Sequence, residues 1–137
     1  MSRVNCPVYR ESHMMLPPKI VILLVEDHPL VRACMAEALL EAGFDALDTG
    51  NATEAIAMLD IRPDIKLVFA DADLPGTMDG LKLAHCIRER WPPVKLILVS
   101  GRTNVPDETL PPGARFFSKP YHDAVIVQEM NCMLRRA

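Results

Sequence analysis

The sequence predicts an α/β protein, a doubly wound sheet of five parallel strands with helices on both faces and a short or missing fourth helix, for which right-handed crossovers leave few strand orders, 2-1-3-4-5 among them. Three observations carry that expectation. Short aliphatic runs alternate with longer segments of helical periodicity, the pattern of strand-helix-strand units. The runs are uniformly apolar rather than alternating, as strands buried on both faces are. Two of them, residues 20–25 and 67–70, lead directly into acid, Glu26-Asp27 and Asp71. In an open parallel sheet the carboxyl ends of the strands border the crevice where ligands bind, so those acids are placed to do chemistry.

Taken in order, residues 1–18 show no periodicity and end in Pro17-Pro18, so they are expected to be a poorly ordered leader, with Met14 or Met15 as possible native starts. Residues 19–137 then form the domain. Residues 20–25, β-branched at four positions, make the first strand. Pro29 suits the first turn of a helix whose apolar face is Val31, Cys34, Met35, Ala38, Leu39 and Ala42, and Gly43 stops it. Residues 44–47 give a short second strand. Asn51 with Glu54 three residues on reads as the start of a helix closed by a capping box, with Ala55, Ile56 and Leu59 inward. Residues 67–70 are too short and too apolar for an amphipathic helix, and Pro75-Gly76 blocks continuation, which leaves a buried third strand.

After Met78-Asp79-Gly80, residues 81–90 place Leu83, Ala84 and Ile87 on one helical face, and Trp91-Pro92-Pro93 ends the helix with Trp91 over the core edge. Residues 96–99 form the fourth strand and run into Ser100-Gly101. Pro106, Pro111 and Pro112 then forbid a full helix, so at most one turn survives, over residues 106–109. Residues 115–118 form the fifth strand, Lys119-Pro120 breaks it, and residues 123–135 close the chain as a helix with Val127, Met130 and Leu134 inward.

A chain of 137 residues suits one domain with a real core and leaves no room for a DNA-binding partner domain. With half its residues hydrophobic, about a quarter charged and a net charge of -3, it carries no basic stripe for nucleic acid; Arg135-Arg136 reads as the cationic end of the last helix. Cys6, Cys34, Cys86 and Cys132 lack Cys-x-x-Cys spacing and read as small buried hydrophobes in a reducing cytoplasm. The four histidines show no metal-ligand spacing. No apolar run reaches membrane-spanning length and no signal peptide is evident, so a cytoplasmic location without membrane contact is expected.

With the strand order 2-1-3-4-5, the first and third strands are neighbours, and Glu26, Asp27 and Asp71 meet at one edge flanked by Ser100 and Lys119. Converging carboxylates resist ionising together. A divalent cation resolves that conflict, and Mg2+, which takes oxygen ligands and keeps several waters, suits two carboxylates plus a backbone carbonyl. A hard cation beside a carboxylate, with an ammonium and a hydroxyl nearby, is also an arrangement for phosphoryl transfer in which Asp71 attacks phosphorus and becomes an acyl phosphate.

The segments Val25-Glu26-Asp27-His28-Pro29, Asp71-Ala72-Asp73-Leu74-Pro75-Gly76, Met78-Asp79-Gly80, Val99-Ser100-Gly101 and Phe116-Phe117-Ser118-Lys119-Pro120-Tyr121 occur in that order across the chain from about residue 19 onward. Together they resemble the receiver domain of bacterial two-component response regulators, which has a flavodoxin-like fold. The resemblance implies that Asp71 accepts a phosphoryl group from a phosphohistidine on a histidine kinase or histidine phosphotransfer protein. It implies that Glu26 and Asp27, with Asp71 and the backbone carbonyl of Asp73, hold Mg2+. Ser100 matches the hydroxyl that meets the phosphoryl oxygen, Lys119 the cation paired with it, and Phe116 the aromatic switch residue that turns inward when Ser100 moves. The implied protein is a phosphorelay component that assists its own phosphorylation and dephosphorylation and is not otherwise an enzyme. Its output runs through an unknown downstream protein, with a homodimer possible.

Departures from the family pattern bear on that expectation. Thr77 lengthens the loop beside Asp71, and the proline-rich residues 105–113 stand where the family has its fourth helix, so a different output partner is expected. Phe116 lacks a hydroxyl, which an apolar inward pocket tolerates. Asp73 and Arg102, each two residues beyond a key position, are placed at the mouth of the site to form an ion pair that would screen the phosphorylated Asp71 from attacking water. Three other readings stand beside this one: a phosphorylation-independent binding module, a receiver detached from a hybrid histidine kinase, and a magnesium-dependent phosphatase of the haloacid-dehalogenase type, whose opening motif residues 67–73 also resemble. The absence of a linker before Ala137 favours a free, stand-alone single-domain protein over the detached receiver.

Overall fold

The computed structural model describes residues 18–102 and 105–135. The expected leader, apart from Pro18, lies outside the described residues, as do Cys6, His13 and Arg136. The elements are β1 (Val21–Val25), α1 (Pro29–Glu41), β2 (Asp45–Thr49), α2 (Ala52–Ile61), β3 (Ile65–Asp71), α3 (Gly80–Arg90), β4 (Lys95–Ser100), a single 3-10 turn (Asp107–Thr109), β5 (Arg115–Ser118) and α4 (Asp123–Met133). The strands pair in parallel in the order β2-β1-β3-β4-β5, as the sequence predicts.

Alternation along the central strands builds two cores, one on each face of the sheet. Val21, Leu23 and Val25 of β1, with Val68 and Ala70 of β3 and Leu96 and Leu98 of β4, face α2 and α3 through Ala55, Leu59, Leu83 and Ile87. Ile22, Leu24, Leu67, Phe69, Ile97 and Val99 face the other way and pack on Met35 and Leu39 of α1 and Ile126 and Met130 of α4. Every residue of β1 is buried. At about 1.5–3 kcal/mol for each large side chain removed from water, this double-sided burial is what ties the acidic strand ends to a rigid base.

Three helices are capped as their sequences allow. Asp79 Oδ1 accepts the N–H of Lys82 at 2.9 Å, Asn51 Oδ1 accepts that of Glu54 at 2.8 Å, and His28 Nδ1 accepts that of Val31 at 3.4 Å. The expected capping box at Asn51 is only half formed. The carboxylate of Glu54 binds the hydroxyl of Thr49, and the N–H of Asn51 turns to Thr49 Oγ1 instead, because the buried Thr49 needs partners at the end of β2.

Four other expectations are corrected. The second strand lies at Asp45–Thr49 rather than residues 44–47, with Phe44 fully buried just before it. The last helix ends at Met133 rather than at residue 135; Arg135 follows the cap residue Leu134 in a left-handed turn at φ 54°, its N–H on the carbonyl of Cys132. In that helix the fully buried residues are Ile126 and Met130, with Val127 and Leu134 only partly covered. On α1 the buried residues are Met35 and Leu39, while Leu30, Val31 and Cys34 turn to an apolar groove of about 470 Å³ shared with Lys119, Pro120 and Tyr121. Cys34 is therefore exposed; Cys132 on α4 is exposed too and Cys86 on α3 half-buried, so the three are not small core residues. The helix phase, set by which residues meet the sheet, overrides the residue type.

The proline-rich segment keeps one 3-10 turn, as expected. Prolines 106, 111 and 112 offer no N–H to a helix, and α3 supplies hydrogen bonds in their place. His85 Nε2 lies 2.6 Å from the carbonyl of Thr109. Arg88 donates to the carbonyls of Pro112 (2.8 Å), Pro92 (2.8 Å) and Val94 (2.9 Å). Trp91 packs against the α2/α3 core, and the guanidinium of Arg90 lies 4.4 Å from the centre of its ring. Among the described residues no helix is long and apolar enough to cross a membrane.

Candidate functional site

The register of the sheet assembles the site. Val25 pairs with Ala70, so Glu26 and Asp27 leave β1 beside Asp71, the last residue of β3. Ser100 ends β4, and the N–H of Lys119 binds its carbonyl at 2.8 Å, which brings the lysine over from β5. Glu26, Asp27, Asp71, Ser100 and Lys119 thus stand at one end of the sheet, while Phe116 lies two residues further back in β5, opposite Leu98. Glu26, Asp27 and Asp71 each offer a carboxylate oxygen within 4.8 Å of the others, Glu26 and Asp71 buried and Asp27 exposed.

Asp71 is held at both oxygens. Oδ1 accepts the N–H of Asp73 at 2.8 Å, and Oδ2 accepts from Lys119 Nζ at 2.7 Å. Its side chain is 5% exposed, whereas that of Lys119 is 34% exposed. Behind it, α3 begins against the strand end: a Cβ at Gly80 would lie 2.0 Å from the carbonyl oxygen of Asp71, so no larger residue fits without displacing that backbone. Glu26 is anchored by the N–H of His28 at 3.0 Å on Oε2. Arg32 donates to the carbonyl of Glu26 at 2.7 Å and pairs with Asp48 at 3.4 Å. Arg32 went unnoticed in the sequence because it sits six residues from Glu26 within a helix; an unpaired cation in a first turn just after an acidic pair is the signal that could have marked it.

The electrostatics reflect crowding. Burial pushes the Glu26 carboxyl above its ordinary range, Asp71 and Asp27 add to the rise, and the N–H of His28 and Lys119 oppose it. For Lys119, burial acts downward, but the hydrogen bond and charge of Asp71, with Glu26 and Asp73, hold the ammonium above its usual value. Tyr121, whose ring meets Phe69 edge-on, is pushed up to about 12 by burial and by the charges of Asp123, Glu26 and Asp71. Three hard oxygen donors, two of them poorly solvated, fit a divalent cation such as Mg2+, which would relieve the repulsion they now share.

Ser100 and Asp73 are bonded to each other, a contact the sequence did not suggest. Ser100 Oγ lies 2.9 and 3.0 Å from the two carboxylate oxygens of Asp73 and accepts the N–H of Arg102 at 3.0 Å. Asp73 also accepts the N–H of Gly101 at 3.0 Å, and the anticipated ion pair with Arg102 forms at 3.0 Å. Burial alone would raise the Asp73 carboxyl, but Gly101, Ser100 and Arg102 together hold it below the usual range. Phe116 is partly buried against the α2/α3 core, next to Leu98 across the sheet.

Residues 22–131 match the family model of the response regulator receiver domain. The chain is 34% identical over 116 residues to the response regulator receiver protein CpdR of Brucella abortus, covering 82% of this chain and 95% of that protein. It is 34% identical over 122 residues to the transcriptional regulatory protein AruR of Pseudomonas aeruginosa, covering 84% of this chain but only 49% of that protein. Among solved structures, a response regulator receiver protein from Sinorhizobium medicae superposes with a TM-score of 0.79 at 24% identity, over 85% of this chain and 95% of that one. The chain therefore spans nearly all of one relative and about half of another.

Proposed function

Because the chain belongs to the response regulator receiver family, we propose that it is a phosphorelay component whose Asp71 takes a phosphoryl group from a phosphohistidine on a histidine kinase or histidine phosphotransfer protein. The observation that carries this reading is the state of Asp71, a buried carboxylate at the end of β3 with Lys119 Nζ at 2.7 Å and two further carboxylates within 4.8 Å.

In the transfer, an Asp71 carboxylate oxygen bonds to phosphorus while the bond from phosphorus to the donor imidazole nitrogen breaks, its electron pair returning to the ring. The product is an acyl phosphate on Asp71 and a free histidine on the donor. Lys119 passes from the carboxylate to a phosphoryl oxygen and offsets its charge. Glu26, Asp27 and Asp71, with the backbone carbonyl of Asp73, would hold Mg2+, which when bound neutralises charge on the transferring oxygens. Ser100 supplies the hydroxyl that reads the phosphorylated state, and Phe116 answers its movement. The same groups, arranged around the acyl phosphate, assist its hydrolysis. Output is through protein contact, by way of a surface from which the usual fourth helix is missing and in which Arg88 and His85 hold residues 107–112. Residues 19–137 constitute the receiver.

The test is intact mass after incubation with acetyl phosphate and Mg2+, repeated with a phosphohistidine donor. Wild type should gain one phosphoryl group and Asp71→Ala none. A wild type that gains nothing from either donor, or an Asp71→Ala protein that gains as much, would refute the assignment.

A further inference from the structure

Resting on the reading of Asp71 as phosphoacceptor, we propose that the Asp73 carboxylate is a resident competitor for Ser100, a latch that must be released before the hydroxyl can engage a phosphoryl group. A serine hydroxyl has one proton to donate. Here Ser100 is fully buried, its oxygen lies 2.9 to 3.0 Å from Asp73, and its acceptor side takes the N–H of Arg102 at 3.0 Å. Its one proton is therefore already committed without any ligand.

Asp73 in turn collects three donors, Ser100 Oγ, Gly101 N and Arg102 Nε, all within 3.0 Å. An anion gripped by a hydroxyl, a backbone amide and a guanidinium is the environment a phosphoryl oxygen would also seek. The latch carboxylate follows Asp71 by two residues, and the N–H of Asp73 binds Asp71 Oδ1 at 2.8 Å, so the two anions are neighbours although the donors on Asp71, Asp73 N–H and Lys119, are distinct from those on Asp73. Arg102 is a positioning residue in this scheme. Its side chain is 58% exposed, so the ion pair adds little energy, but it fixes the rotamer in which Asp73 reaches Ser100.

Two states follow. With Asp71 unmodified, Ser100 belongs to Asp73; with a phosphoryl group on Asp71, Ser100 moves to the new oxygens and Asp73 keeps Gly101 and Arg102. The apparent affinity for a phosphoryl analogue is lowered by the fraction of molecules that are latched. Shortening Asp73 removes the competitor and leaves its backbone carbonyl in place.

The experiment is calorimetric titration of beryllofluoride with Mg2+ into wild type, Asp73→Ala, Ser100→Ala and the double variant. Asp73→Ala should bind about tenfold more tightly, the loss of one hydrogen bond to a charged acceptor. In the Ser100→Ala background the same substitution should change affinity by less than about twofold, since no hydroxyl remains to be released. An equal gain in both backgrounds would mean simple relief of charge repulsion and overturn the latch, as would no gain in either. Ring signals of Phe116 in ligand-free protein give an independent reading: Asp73→Ala should shift them and the double variant should match Ser100→Ala. Wild type that binds no beryllofluoride would sink the phosphoacceptor reading, and the Phe116 signals would then still decide the latch, unchanged signals in Asp73→Ala overturning it.

Discussion

Opposite ends of the Asp71–Lys119 pair should respond to removal in opposite ways. At 2.7 Å between Oδ2 and Nζ, the gross attraction is about 6 kcal/mol at an effective dielectric constant of about 20. Most of that is offset by the cost of taking Asp71, 5% exposed, out of water. Lys119→Met keeps the packing of the stem but leaves Asp71 buried and charged beside Glu26 and Asp27. A fully buried pair broken in this way costs about 3–5 kcal/mol; Lys119 is a third exposed and water can reach the vacancy, so about 1–3 kcal/mol is expected. Asp71→Asn takes away one of three crowded charges, keeps an oxygen for the N–H of Asp73 and lets Lys119 turn to solvent, so its effect should lie between neutral and a gain of about 1 kcal/mol. Urea denaturation at pH 7 in chelator, compared at equal m-value, measures both. If Asp71→Asn destabilised the protein more than Lys119→Met, the picture of a repelling carboxylate set restrained by one lysine would be refuted.

Arg88→Ala removes the donor to three carbonyls and should cost about 1–3 kcal/mol, with faster hydrogen exchange at the amides of Thr109 and Leu110; unchanged exchange would mean that the 3-10 segment holds itself. Glu26 sets a pH dependence. Its carboxyl is raised in the fold, so the native state favours its protonated form, and the stability it contributes is present below the unfolded pKa and lost as pH rises through the raised one. Glu26→Gln should therefore be the more stable protein at neutral pH without metal. Mg2+ at ten times its Kd should add about 1.4 kcal/mol to wild type and clearly less to the variant, and equal thermal shifts in the two would count against Glu26 as part of the cation site.

Much of this was legible in one dimension because it rests on local pattern. Apolar runs long enough for a strand and too short for a helix located β1, β3 and β4, and an acid directly after such a run located Glu26, Asp27 and Asp71. Prolines 106, 111 and 112 foretold the shortened crossover, since a missing N–H is a property of the residue itself. Boundaries were weaker. The sequence stopped the second strand at Leu47, but the chain continues as strand to Thr49, because Asp48 and Thr49 find partners on β1 opposite Leu24 and Val25.

Other features depended on contacts that no local pattern encodes. Cys34 has the spacing of a core residue, yet the phase of α1 is decided by Met35 and Leu39 meeting Ile22, Leu24 and Phe69, which turns Cys34 outward. Arg88 acquires its role only when residues 24 positions away in sequence lie beside it, as Pro112 does. Residue types and strand ends thus determined which groups share the site. Which of them bond to one another, with Ser100 on Asp73 and Lys119 on Asp71, was decided by the tertiary structure, because a hydroxyl or an ammonium takes whichever acceptor the packed backbone brings within about 3 Å.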